Sequence, residues 1–302
     1  MTATVALPLR VGPRTLARLS RKLIRVPVSL EAGMNGTPPD LPSLPQGADG
    51  FLVTALPAWL AADMAASQPG LKPFVRQRYQ RSYASLEGSF DDYLAGFSAK
   101  TRSTLRRKLR KFAEVSGGSI DLRCYRTPEA VDEFYRHARA ISATTYQERL
   151  LEAGLPSGAE AVAEMRERAG RDAMRGWVLF LGGEPVSYLY APADGDTLLY
   201  HHLGYHPAHA PLSPGTVLQL EAMRGLMEEG RFRLFDFTEG DGQHKRQFGT
   251  GWLDCVDLLL VRPRAGNLLV GYALLAFDKA VALAKAAARA AGVEGLARSA
   301  LR

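Results

Sequence analysis

The feature that most constrains the fold lies past the middle of the chain. Three β-type runs, Trp177–Leu181, Pro185–Ala191 and Thr197–Tyr205, are separated by Gly182-Gly183 and by Asp194-Gly195-Asp196. Both spacers supply residues that tolerate positive φ, which tight hairpins require. The third run passes through a proline-rich loop, His206–Pro214, into an expected helix from Gly215 to Glu229 that Gly230 ends. Arg233–Phe237 reads as a fourth strand, Gly240-Asp241-Gly242 breaks the chain, and Trp252–Val261 is a last strand. The order β-β-β-α-β-(short helix)-β points to a mixed α/β fold with a mainly antiparallel sheet flanked by helices.

The upstream chain has its own signals. Thr15–Arg25 places Leu16, Leu19, Leu23 and Ile24 on one helical face and predicts a basic amphipathic helix, either docked on the protein or lying on a membrane surface. The segment Val26–Gly50 is rich in proline and glycine and reads as an irregular connection. Phe51–Leu56 and Phe74–Leu86 read as strands, with a helical stretch around Trp59–Ala66. Ser89 caps a short helix through Asp91 and Asp92, and a longer helix starts near Ser98 with Leu105, Leu109 and Phe112 on one face. Thr127-Pro128-Glu129 opens another, with Val131, Phe134, Ala138 and Ile141 inward, and Ala159–Ala169 is one more. An Ala/Leu-rich helix over Asn267–Ala291 closes the chain. The boundaries read linearly are a basic segment and linker over 1–50, halves over 51–170 and 171–265, and a terminal helix over 266–302.

Charge is local rather than general. The net charge is +7, and Lys100, Arg102, Arg106, Arg107, Lys108, Arg110 and Lys111 supply seven positive charges with no acid among them. Without that run, 31 basic residues balance 31 acidic ones, so the sequence calls for a specific anionic contact rather than uniform cationic character. The run lacks the interleaved aromatics that stack bases, which leaves a solvated face or a grip on an anionic acceptor. Hydrophobic residues make up 46% of the chain, which excludes a disordered protein. No uninterrupted apolar run reaches the roughly 20 residues of a membrane span, since Leu268–Phe277 ends at Asp278-Lys279. With no secretory pattern and two cysteines in unrelated contexts, Cys124 and Cys255, the expected setting is cytoplasmic, with peripheral membrane contact as an option.

The chemistry converges on Ser213-Pro214-Gly215-Thr216. The first N–H groups of a helix have no internal partner and carry the positive end of its dipole, so such a terminus accepts phosphate or pyrophosphate. Gly215 allows close backbone approach, and Ser213 or Thr216 adds a hydroxyl; the same four residues also make a plain N-cap. After the fourth strand, Thr238–Gly249 holds Glu239, Asp241, Lys245 and several glycines where a strand end delivers polar groups. Five of the six histidines lie between His201 and His244, but no cysteine accompanies them, and a metal site is not expected. No Gly-x-Ser-x-Gly elbow is present, which argues against a hydrolase.

The segment SPGTVLQLEAMRGLMEEGRFRLFDFTEGDGQHKRQFG, paired with the upstream SFDDYLAGFSAKTRSTLRRKLRKFAE, resembles the GNAT acyltransferases of the CelD-like group, the cellulose-biosynthesis type, cousins of the FemAB aminoacyl transferases. The likeness covers roughly residues 70–260. It implies two GNAT-like subdomains, each a mixed, mainly antiparallel sheet flanked by helices, and an acyl-CoA co-substrate such as acetyl-CoA cradled by Tyr205, Ser213, Pro214, Gly215 and Thr216. The implied reaction is N-acyl transfer to an amino group of a small or carbohydrate-linked acceptor, with no metal. Where the family shows an aromatic–lysine pair, this chain has His244-Lys245. For general acid–base work the candidates are Glu239, Asp241 and His202, with Lys245 holding a phosphate or the acceptor's anionic group. Tyr188, His201, Asp236 and His244 are the candidate acceptor-binding residues, and alternation puts His201 and His202 on opposite faces of their strand. Two rival expectations stand beside this one: a FemAB-like aminoacyl transferase using charged tRNA, and a non-catalytic partner of an envelope-polysaccharide assembly that docks through Thr15–Arg25 and the last helix.

Overall fold

The computed structural model describes residues 3–11, 14–145, 154–239 and 243–290. Along the chain come β1 (Ala3–Val11), β2 (Arg14–Pro27), α1 (Leu30–Met34), β3 (Gly50–Pro57), α2 (Ala61–Ala66), β4 (Lys72–Ser85), α3 (Phe90–Ala95) and α4 (Ala99–Val115). There follow β5 (Asp121–Tyr125), α5 (Val131–Ser142), α6 (Ala159–Gly170), β6 (Met174–Leu181), β7 (Glu184–Asp194), β8 (Thr197–Leu199) and β9 (His202–Tyr205). The chain ends with α7 (Pro214–Glu229), β10 (Leu234–Asp236), α8 (Gln243–Phe248), β11 (Gly251–Val261) and α9 (Ala265–Ala290). Contacts divide these elements into two compact units that interleave in sequence. The first holds residues 1–81, 239–241 and 253–302, the second 82–238 and 242–252. The second unit therefore takes elements from both sides of residue 170.

In the first unit the strand order is β1-β2-β3-β11-β4. β1 and β2 are antiparallel with Leu7 opposite Leu19, β2 runs parallel to β3, and β3 is antiparallel to β11. Alternation sorts the side chains into two layers. Leu23, Leu52, Leu259 and Val261 pack beneath Val270 and Leu274 of α9, while Ile24, Phe51, Val53 and Leu258 pack on the other face with Met64 of α2. Gly271 is needed at the α9 contact, because a Cβ there would lie 2.5 Å from the Phe74 ring.

One expectation fails in this unit. Thr15–Arg25 is strand, not amphipathic helix. Its inward residues recur every second position, Leu19 and Arg21 partly covered and Leu23 fully buried, whereas Leu16 is 64% exposed. The leucines suit either period, and pairing with Ala3–Val11 settles the choice. The docking helix behind the envelope-assembly expectation is thereby removed. Helix α9, in turn, contains a 20-residue stretch, Ala265–Ala284, long and apolar enough to cross a membrane by length and composition, with mean hydropathy 1.5. Asp278-Lys279 interrupts the apolar run, and the stretch that contains it still keeps that mean hydropathy.

In the second unit the order is β4-β10-β8-β7-β6-β5, with β9 also paired to β7. β8 and β10 are the parallel neighbours among antiparallel pairs. One face packs on α3, α4 and α7 through Leu94, Leu105, Phe112, Val217 and Leu218, and the other on α5 and α6 through Val131, Phe134 and Met165. The local signals act as read. Ser98 Oγ accepts the Thr101 N–H at the start of α4, Ser89 Oγ accepts the Asp92 N–H at α3, and Gly230 ends α7 with φ 65°.

The run Thr197–Tyr205 is two strands rather than one. β9 pairs with β7 at His202–Tyr190 and β8 at Leu198–Ala193, so the register slips by one residue across Tyr200-His201. The Tyr200 N–H donates to Asp236 O, 2.8 Å, as the last link between this segment and β10. The His201 N–H turns instead to Tyr190 O, 3.3 Å. A bulge of this kind disturbs side-chain alternation. His201 and His202 consequently do not point to opposite faces: their rings lie 4.7 Å apart, and both sit against Tyr190, at 6.1 and 6.4 Å.

Candidate functional site

Beyond Tyr200, β9 has no pairing with β10, and a pocket of about 590 Å³ opens in the second unit. Its walls come from β9 (Leu203, Gly204, Tyr205), the first turns of α7, Thr145 after α5, Phe248 of α8, and Tyr200. All five residues expected to cradle a carrier, Tyr205, Ser213, Pro214, Gly215 and Thr216, line it.

The α7 terminus offers fewer amide donors than the bare helix rule implies. Ser213 adopts the left-handed conformation, φ 53°, and its carbonyl accepts the N–H groups of Thr216, 3.0 Å, and Val217, 3.1 Å. Pro214 has no N–H, so the backbone donor left at the mouth is Gly215. A Cβ on Gly215 would lie 3.1 Å from Leu203 and 3.4 Å from Tyr205, so this glycine brings β9 side chains against the helix start.

The missing positive charge comes from a helix more than a hundred residues upstream. α4 packs against α7, and Lys108 Nζ donates to Thr216 Oγ1, 3.2 Å, while Lys111 Nζ donates to Pro211 O, 3.1 Å. Burial, and then the neighbouring Arg107, lower the Lys108 pKa below the ordinary lysine value. Sequence periodicity shows only that α4 has a basic face; it does not show which end of which helix that face meets.

Gln219 is a further residue missed from sequence. It lies one turn beyond Gly215, lines the pocket, and is only 2% exposed, yet neither Nε2 nor Oε1 has a partner among the described residues. Burying an amide without partners is costly, and a natural fold retains such a group where something else completes it. Tyr200 also lines the pocket, its ring packed edge-on against Phe235, and burial pushes its hydroxyl pKa well above the tyrosine range.

The remaining sequence candidates are placed elsewhere. Lys245 is not in the pocket lining, but its Nζ lies over the ring of Tyr200, which is, 5.9 Å from the ring's centre. Tyr188 is buried against Gly204, where a Cβ would come within 2.5 Å of its ring. Asp236 is fully buried and accepts the Thr238 N–H, 2.7 Å, holding the turn after β10. His201 and His202 are absent from the pocket lining. Glu239 belongs to the first unit, where it accepts from Gln77 Nε2 at 3.1 Å. Asp241 and the side chain of His244 lie outside the described residues. Among the described residues, the pocket wall holds no carboxylate and no histidine.

Residues 99–246 match the family model described as "Acetyltransferase (GNAT) domain". No curated protein sequence matches the chain. Solved structures share the fold at low identity. The C-terminal domain of a putative lysylphosphatidylglycerol synthetase from Agrobacterium fabrum is 13% identical, with TM-score 0.52, covering 74% of this chain and 71% of that one. L-PGS from Bacillus licheniformis is 16% identical, with TM-score 0.52 and coverage of 75% and 73%. FemX is 11% identical, with TM-score 0.52 and coverage of 86% and 88%.

Proposed function

We propose that this chain, whose residues 99–246 match a GNAT acetyltransferase domain, is an acyl-CoA-dependent N-acyltransferase of the CelD-like group, acting on an amino group of a small or carbohydrate-linked acceptor. The observation that carries this reading is the meeting of Lys108 with Thr216 at the mouth of a pocket opened by the parting of β9 from β10. A diphosphate there receives the Gly215 N–H, the hydroxyls of Ser213 and Thr216 and the Lys108 and Lys111 ammonium groups, and charge-assisted bonds of that kind are the strong ones.

The bound thioester supplies the acyl group. The chain's own residues do the rest. Leu203 and Phe248 exclude water from the inner wall. Tyr200 is a phenol at neutral pH and burial pushes its pKa further up, so its hydroxyl serves as a hydrogen-bond donor towards the thioester end. Attack by the neutral amine on the thioester carbonyl forms the C–N bond as the C–S bond breaks, and the proton the amine loses goes to the departing thiolate.

Calorimetry with acetyl-CoA and longer acyl-CoAs tests the reading. Wild type binds, and Gly215→Trp and Lys108→Glu each weaken binding while circular dichroism is unchanged. A wild-type protein that binds no CoA thioester overturns it.

A second reading, an aminoacyl transferase taking charged tRNA, draws on the exposed Arg106, Arg107 and Arg110 of α4. An electrophoretic shift with charged tRNA that falls steeply with added salt would favour it.

A further inference from the structure

The first unit holds a separate cleft of about 1000 Å³, bounded by β1–β4, β11 and the second half of α9. Five cations line it, Arg18, Arg25, Arg76, Arg78 and Lys279, with three carboxylates, Glu239, Asp257 and Asp278. All three carboxylates are engaged within the unit. Asp257 accepts from the Ala55 N–H at 3.1 Å, from Gln77 Nε2 at 2.9 Å and from the Tyr79 hydroxyl at 3.2 Å. Glu239 shares Gln77, and Asp278 pairs with Arg76 at 3.0 Å. Arg76 spends its second nitrogen on Pro8 O, 3.2 Å. The side chains of Arg18, Arg25, Arg78 and Lys279, by contrast, have no hydrogen bond or ion pair among the described residues.

The imbalance extends to the whole unit. It carries 17 basic and 10 acidic residues, whereas the second unit carries 21 of each, so the net charge of the protein resides in the first unit. In the second unit exposed arginines such as Arg123, Arg126, Arg166 and Arg171 face carboxylates. Four unpartnered cations around one concavity repel each other and favour an anion of more than one charge or several oxygens. Arginine forks match phosphate oxygens in particular. Between the cations the walls are apolar, with Leu52, Val75, Leu275 and Val281. The outer face of α9 also exposes Leu269 (72%), Tyr272 and Leu283 (72%), on the stripe that carries Lys279.

We propose that this cleft is a binding site for a phosphate-ester group borne on an amphiphilic molecule. Two sources present that chemistry, the head group of an anionic lipid and a soluble phosphate ester. The proposal does not depend on acyl-CoA binding in the second unit.

The test uses the full chain and a variant with Arg18→Gln, Arg25→Gln, Arg78→Gln and Lys279→Gln, all surface positions outside the acyl pocket. One arm is sedimentation with phosphatidylglycerol/phosphatidylcholine vesicles and with phosphatidylcholine alone, at about 0.05 M and about 0.3 M salt. The other is calorimetry with glycerol 3-phosphate and with monomeric octyl phosphate. Wild type binds in at least one arm, and the variant binds at least about tenfold more weakly. Vesicle binding alone identifies the lipid source, and binding of soluble ester alone identifies the other. No binding in either arm, or equal binding by wild type and variant, overturns the proposal. A melting transition kept by the variant excludes loss of fold as the cause.

Discussion

Replacing Gln219 by leucine tests the pocket from inside. The side chain is buried with both amide atoms unpartnered, and leucine is close to it in volume, so the substitution leaves no large cavity. An unsatisfied buried polar group costs about 1–3 kcal/mol, and removing it stabilises the free protein by about 1 kcal/mol after some loss of packing fit. For a domain of this size that raises Tm by about 2–4 °C. Ligand binding moves the other way. The carboxamide offers one donor and one acceptor, which an amide of the pantetheine arm of acyl-CoA complements. Losing two hydrogen bonds of about 0.5–1.5 kcal/mol each weakens binding by roughly tenfold to a hundredfold. Differential scanning fluorimetry on the free protein and calorimetry with acetyl-CoA read the two effects separately. A lower Tm with unchanged affinity would refute the reasoning, since it would make Gln219 a structural group satisfied inside the protein.

Lys108→Met weakens acyl-CoA binding by roughly tenfold to a hundredfold, from a charge-assisted bond of about 1.5–3 kcal/mol, and calorimetry measures it. Because burial lowers the Lys108 pKa and the protonated form holds the phosphate, wild-type affinity falls as pH rises through a value below the ordinary lysine one, and Lys108→Arg abolishes that fall. Arg175, 1% exposed, pairs with Glu229 at the end of α7 and with Asp172 at 2.7 Å. Arg175→Met costs about 3 kcal/mol in urea unfolding, the lower end for a broken buried pair because both carboxylates are partly solvated, and adding Glu229→Met recovers part of the loss. Gly271→Val drives a Cβ into the Phe74 ring and costs about 1–3 kcal/mol, read as a lower denaturation midpoint; no change would mean α9 does not depend on that contact.

Much of the architecture is legible from the chain because its signals are short-range. The Ser89 and Ser98 caps, the Leu105/Phe112 face of α4, the Gly182-Gly183 hairpin and the αL stop at Gly230 each depend on residues within a turn or two. The same holds for Pro214, whose place in the first turn of α7 follows from its fixed φ and missing N–H, although Ser213 makes no side-chain cap hydrogen bond there. Ambiguity begins where one pattern satisfies two periods. Leu19 and Leu23 fit a helix as well as a strand, and β2 exists because β1 and β3 pair with it and α9 covers Leu23.

The site itself depends on longer-range placement. The bulge at Tyr200-His201 arises where β8 follows β10 while β9 follows the register of β7, a competition between neighbours that are distant in sequence. That break opens the pocket and turns both histidines towards Tyr190. Lys108 and Thr216 are 108 residues apart and meet because α4 and α7 bury their apolar stripes on one sheet face. Hydrophobic burial fixes which faces come together, and the polar groups that happen to lie at the rims of those faces become neighbours as a consequence. Sequence thus determined the helix start and its hydroxyls, while tertiary packing decided which lysine reaches them, which glutamine lies beneath them, and that Glu239 belongs to the other unit.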